Sequence, residues 1–222
     1  MTQPLLLLAC QVVFKEMERG LPPDLPRRVL DPALHLQPDL LRKTLQEAVN
    51  QEEDKYDSII LGYGLCSRAV EGLKSSRARL ILPRVDDCIG IFLGSRQAHL
   101  SALAAEPGTF FLSRGWIEAG VTPFNEFEYT VKRFGREKAY SLTQRMLRHY
   151  RRLALLSLGR DEKYCRYLDY AREMATKFGL DLQEMEGSGR LMEKMTRGPW
   201  DDDFLIVPAG REITFEMFFG RD

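Results

Sequence analysis

Cysteine is scarce in this chain: Cys10, Cys66, Cys88 and Cys165 are the four in 222 residues, and no two form a Cys-x-x-Cys pair. Such a sparse, dispersed set excludes a small disulfide-stapled scaffold, and no local spacing demands a metal. An excess of charge of one sign is also lacking, since 32 basic residues face 32 acidic ones. Chains that mainly bind nucleic acid usually carry a basic excess, so no nucleic acid is expected as the main partner. No apolar run reaches the ~18–20 residues of a membrane span. The apolar start MTQPLLLLACQVVF lacks the basic flank and small-residue cleavage site of a signal peptide. These absences predict a cytoplasmic protein with reduced thiols and no membrane partner. His-Glu-x-x-His, a Gly-x-Ser-x-Gly elbow, internal repeats and low-complexity tracts are missing too. His35, His99 and His149 accordingly read as surface or satisfied core residues.

What is present is apolar material in strand-length pieces. At 44% hydrophobic, the chain can bury a full core. PLLLLACQV (4–12) and DSIILGYG (57–64) read as strands covered on both faces. RRVLDPALH (27–35) reads as an edge strand because of Pro32, and ARLILPRV (78–85) and GTFFLSRG (108–115) as further strands. Between them, QPDLLRKTLQEAVNQEEDKY is a clear amphipathic helix, and CSRAVEGLKS and DDCIGIFLGSRQAHLSALAAE read as helical. The fold class is therefore α/β: an open, mostly parallel sheet with helices on both faces, plus a more helical C-terminal part. Residues 1–120 form the α/β core. Residues 121–222 supply helices over 122–150 and 161–179 and strands at 152–159, 181–188 and 204–210, with ITFEMFF as one more. They either complete the same domain or form a second lobe.

Three thiols share a place in this pattern. Cys10 ends the first strand, Cys66 follows the third and Cys88 follows the fourth. Ligands of open parallel sheets bind beyond the carboxyl ends of the strands, and in the order 2-1-3-4-5 these three strands are neighbours. Strands ~4.8 Å apart can bring three sulfurs around one ion. The alternative is that each is a small core residue, the common fate of cysteine; Cys165 is read that way. Gly62 and Gly64 shape a sharp turn and let backbone amides approach a ligand, but Gly-Tyr-Gly lacks the remaining signature of a phosphate loop. Ser67 caps a helix or touches the ligand, and Asp86 is the expected cap of the helix after the fourth strand. Asp87 is a candidate fourth metal ligand or base, and Arg84 and Arg96 are candidates for holding a carboxylate or phosphate.

The segments ILGYGLC, LILPRVDDCIGIFLGSR and GTFFLSRGW, together with the early LLACQV, resemble the domain of unknown function 1638 family of bacteria and archaea. Members commonly show His-Asp-Cys where this chain has Asp86-Asp87-Cys88, so no histidine ligand is available at position 86. The resemblance implies functional weight for Cys10, Cys66 and Cys88, surrounded by Gly62, Gly64, Arg84, Asp87, Ser95, Arg96 and Trp116. It also implies a setting of corrinoid-linked methyl transfer.

Three functional readings follow. In the first, Cys10, Cys66, Cys88 and Asp87 hold zinc or an iron–sulfur cluster in an enzyme or accessory factor acting on a small molecule. In the second, the same loops bind a small anion or cofactor without catalysis. In the third, Cys66 is a thiolate nucleophile at a helix N-terminus. Phe124, Phe127, Tyr129 and Phe134 belong to a lid, a homo-oligomer contact or ordinary core.

Overall fold

The computed structural model describes residues 5–219. The chain opens with β1 (Leu5–Cys10), α1 (Gln11–Met17), β2 (Arg27–Leu30), α2 (Pro38–Glu52), β3 (Ser58–Gly62) and β4 (Arg79–Pro83). Next come α3 (Cys88–Phe92), α4 (Arg96–Ala105), β5 (Thr109–Ser113), α5 (Arg114–Ala119), α6 (Pro123–Phe134) and α7 (Arg136–Leu147). The order ends with β6 (Arg152–Ser157), α8 (Tyr164–Phe178), β7 (Asp181–Glu186), α9 (Arg190–Arg197) and β8 (Phe204–Val207). Two compact units result, one from Met1–His99 with Ser188–Asp222 and one from Leu100–Gly187. The sequence reading placed a single break after residue 120. Among the described residues no helix is long and apolar enough to cross a membrane.

The first unit is built on a five-stranded sheet of order β2-β1-β3-β4-β8. The continuous apolar runs of β1 and β3 explain their central places, because Leu6 through Cys10 and Ser58 through Gly62 are buried along their whole length. β2 lies at an edge, and Pro32, which cannot donate to a ladder, starts a short 3-10 helix over Pro32–Leu36. The first four strands are parallel in the expected order, and β8 closes the other edge antiparallel to β4. The fifth place in this sheet is thus taken by a strand some 120 residues after β4, and not by β5 as the simple reading of consecutive strands suggests.

The second unit has its own parallel sheet, β5-β6-β7. Leu112, Leu153 and Leu155 of this sheet share a core with Phe124, Phe127, Ala139, Met174 and Phe178 from α6, α7 and α8. Of the four aromatic residues weighed for a lid or contact, Phe124 and Phe127 are therefore core, while Tyr129 and Phe134 are exposed. Thr122 and Asn125 form a capping box at the start of α6, with Pro123 in the first turn.

Two further expectations are corrected. CSRAVEGLKS forms no helix: it is a series of turns, with Cys66, Ser67 and Arg68 all at positive φ (48°, 55° and 65°). ITFEMFF is not a strand, and its only regular piece is a 3-10 turn at Glu216–Phe218.

Candidate functional site

The carboxyl ends of β1, β3 and β4 carry the site. Ala9 pairs with Gly62 across β1 and β3, so Cys10 and Tyr63 are the next residues of two adjacent strands. This pairing is tight, since a Cβ on Gly62 would stand 2.7 Å from that of Ala9. Past β3, the backbone of Leu65 donates to Val85 O (2.9 Å) and that of Cys66 to Asp86 O (2.9 Å). These bonds tie the loop bearing Cys66 to the loop that leads into Cys88. Gly64 lies at the crossing, where a Cβ would meet Asp87 N, Asp87 Cα and Val85 O, each at 2.8 Å. Only a glycine lets the two loops touch here.

The turn after Gly64 is strained. A non-glycine residue in the left-handed region costs about 1–2 kcal/mol, and three stand in succession. Several contacts hold them there. Arg68 donates twice to the Glu71 carboxylate (2.6 and 2.8 Å), and Arg42 Nη2 donates to Arg68 O (3.0 Å). The Arg68 guanidinium also lies over the Phe215 ring at 4.8 Å. Gly72 N donates to Ile213 O (2.8 Å), which pins the end of the turn to the returning chain. Cys66 begins this turn with its thiol buried, whereas Ser67 is exposed and caps no helix.

The other two thiols belong to helix starts. Cys10 is the N-cap of α1, its Sγ accepting from Val12 N at 3.3 Å. Cys88 is the first residue of the five-residue α3, whose N-cap is Asp87 and not Asp86; Asp87 Oδ1 accepts from Ile89 N at 2.9 Å. All three thiols are buried. Burial pushes each thiol above its usual value. For Cys66 the Asp87 and Cys10 charges add to burial, and for Cys88 those of Asp87, Cys66 and Cys10 do. The strand order places the loops that bear these three thiols side by side. Cys165 lies exposed on α8.

Three side chains that carried no signal in the sequence join them. Tyr63 is buried and its Oη has no hydrogen-bond partner. Burial, then the Cys10 and Cys66 charges, push its phenol well up. His35, from the turn after β2, stacks on Tyr63 with centroids 6.0 Å apart and planes 20° apart. Burial lowers its basicity against the Pro32 carbonyl and Asp87. His99 of α4 is buried with Nδ1 3.7 Å from Asp87 Oδ1. Both histidines precede or follow no recognisable motif. What places them is that β2 and α4 run to the same edge as the thiols.

The two arginines expected to face an anion are engaged with the fold instead. Arg84 donates to Phe204 O (3.2 Å) and Met217 O (2.6 Å), fastening the chain's return beside β4. Arg96 Nε lies 3.0 Å from Asp86 Oδ2, an ion pair without hydrogen-bond alignment, and its guanidinium covers the Phe219 ring at 4.7 Å.

The donor set is three sulfurs with one carboxylate close by, which suits a thiophilic ion in chemical type. Among the described residues, however, no group of three or more His, Cys, Asp or Glu side chains is already disposed around an ion position.

Comparison with known proteins gives one match. A family model described as "Protein of unknown function (DUF1638)" matches residues 29–196, a span that contains Cys66 and Cys88 and begins after Cys10. Curated proteins and solved structures each give no match. With three quarters of its length matched, the chain belongs to the DUF1638 family.

Proposed function

We propose that Cys10, Cys66 and Cys88 form a thiol centre that takes zinc or an iron–sulfur cluster, in an enzyme or accessory factor acting on a small molecule. The observation that carries this reading is that three adjacent parallel strands lead into three buried cysteines. Three sulfur donors, if they held such a group, would leave one position for a further ligand, as in catalytic zinc and in clusters with one accessible iron. When bound, such a centre supplies Lewis-acid polarisation or a coordination position for a substrate oxygen or sulfur. The chain's own residues set its conditions. Apolar burial excludes water, Asp87 fixes the start of α3 and with it Cys88, and the Gly64 crossing holds the Cys66 and Cys88 loops in contact. Because metal-free burial keeps the thiols protonated, uptake requires the sulfurs to close on the ion as their protons leave. The proposed context is corrinoid-linked one-carbon metabolism, which only the sequence resemblance suggests.

A second reading, a non-catalytic ligand-binding module whose cysteines are core, draws on the neutral thiols and on the lack of a disposed ligand group. The third, with Cys66 as a resting thiolate nucleophile, loses its basis, because no helix starts there and burial raises the thiol. Elemental analysis with a visible spectrum on anaerobically purified protein separates the first two. The thiol-centre reading expects about one zinc or one cluster per chain, lost in Cys66→Ser. Metal-free protein that also takes up no added zinc would overturn it.

A further inference from the structure

Tyr63 is 1% exposed, and its one polar side-chain atom is buried without a partner. Buried tyrosine hydroxyls ordinarily find a partner, and leaving one unmade costs ~1–3 kcal/mol. Phenylalanine would fill the same space without that cost, so packing alone does not account for the hydroxyl. Its position is informative. The β1–β3 register sets Tyr63 beside Cys10, and Cys66 follows three residues later in the same loop. The ring is also held in orientation by the stacked His35. A buried polar hydrogen oriented this way, beside buried thiols, is a preorganised donor awaiting an acceptor.

We infer that Tyr63 is a binding residue of the thiol centre, its Oη–H donating to an electron-rich acceptor held there. That acceptor is either a thiolate sulfur of Cys10 or Cys66, or an anionic oxygen or sulfur of the bound ligand. The inference rests on the thiol-centre reading and deepens it by adding to the sulfurs a hydrogen-bond donor, which favours an electron-rich acceptor there over an apolar guest.

The test uses Tyr63→Phe, which keeps the ring and its stacking, with two measurements on the full chain. The first is Co(II) titration, followed by thiolate-to-metal charge-transfer absorption, with Cys66→Ser as control. The second needs no metal: the alkylation rate of Cys10 and Cys66 by iodoacetamide, mapped by peptide mass spectrometry. The expected result is a variant that melts no lower than wild type, yet loses about tenfold in Co(II) affinity or in alkylation rate. Neither loss overturns the assignment, and so does a markedly lower melting temperature, which would reveal a structural partner for the hydroxyl. The two ideas fail separately. No Co(II) uptake by wild type with slowed alkylation in the variant sinks the metal reading and keeps the donor. Co(II) uptake lost in Cys66→Ser, with both measurements unchanged in Tyr63→Phe, sinks the donor and keeps the metal.

Discussion

The two parallel sheets offer the same topological position with opposite content. In the three-stranded sheet the strands end at Ser113, Ser157 and Glu186, and β7 is largely exposed. Some of its polar groups are paired, with Tyr164 donating to Glu184 at 2.6 Å and Arg160 reaching the same carboxylate at 3.2 Å, while Ser113 Oγ and Trp116 Nε1 are buried without a hydrogen-bond partner. In the five-stranded sheet the corresponding ends carry Cys10 and the Tyr63–Cys66 loop, both buried, and a half-buried loop into buried Cys88. A carboxyl edge is therefore only a location. What sets one of the two apart is a set of buried thiols beside a strained left-handed turn of three non-glycine residues.

This contrast can be broken experimentally, and the largest effect expected is with pH. The buried thiols hold their protons more tightly in the folded than in the unfolded chain. Above the ordinary thiol value of 9.0 the unfolded chain sheds protons that the folded one keeps, so metal-free protein loses stability as pH rises. The loss approaches about 1.4 kcal/mol per pH unit for each thiol involved. Denaturant melts between pH 8 and 10 check it, with Cys66→Ser flattening the slope; a flat profile in wild type would remove the neutral-thiol picture.

Next in size is the glycine contrast. Gly64→Ala drives a Cβ into backbone on two sides and is expected to cost about 2–3 kcal/mol, lowering the melting temperature by about 5–10 °C. Gly120→Ala in the second unit meets nothing within 4 Å and bears only the cost of its φ of +68°, about 1 kcal/mol. Equal losses at the two positions would contradict the loop crossing. Thiol labelling comes third: iodoacetamide should modify exposed Cys165 of the native protein at least about tenfold faster than Cys10, Cys66 or Cys88. Peptide mass spectrometry reads the ratio. The smallest effect has an unusual sign, since Ser67→Gly relieves a positive φ and is expected to stabilise the fold by up to about 1 kcal/mol. A melting temperature unchanged or lowered would show that the turn is not strained.

Much of the first sheet was legible because its central strands are unbroken apolar runs bounded by Pro and Gly. The strands came from that pattern, while the order of β2, β1, β3 and β4 came from assuming the common doubly wound arrangement, which the sheet follows over these four strands. Other features were hidden for identifiable reasons. Ala69, Val70 and Leu73 are buried at a spacing that suits a helix, yet here a series of turns satisfies it, and no glycine announces the left-handed residues before them. The strand pattern of β5 shows a strand but not which sheet it joins. Tyr63, His35 and His99 belong to no motif, since they enter the site through register and the ends of separate elements. Segment α9 did carry a usable signal, because Leu191, Met192 and Met195 line one face of a charged helix.

The pairing of β4 with β8 has a consequence for how the molecule comes into being. Leu80 to Pro83 wait for partners at Phe204 to Val207, and Arg84 waits for the carbonyls of Phe204 and Met217. Closing a loop that long is entropically slow, so β4 stands as an open sheet edge while the intervening chain is being synthesised. The strands of the second unit all lie before residue 187 and pair with one another, so its sheet is complete in the chain before β8 is made. The sheet that carries the thiols is complete only once β8 is made, and the β4 edge is open until then.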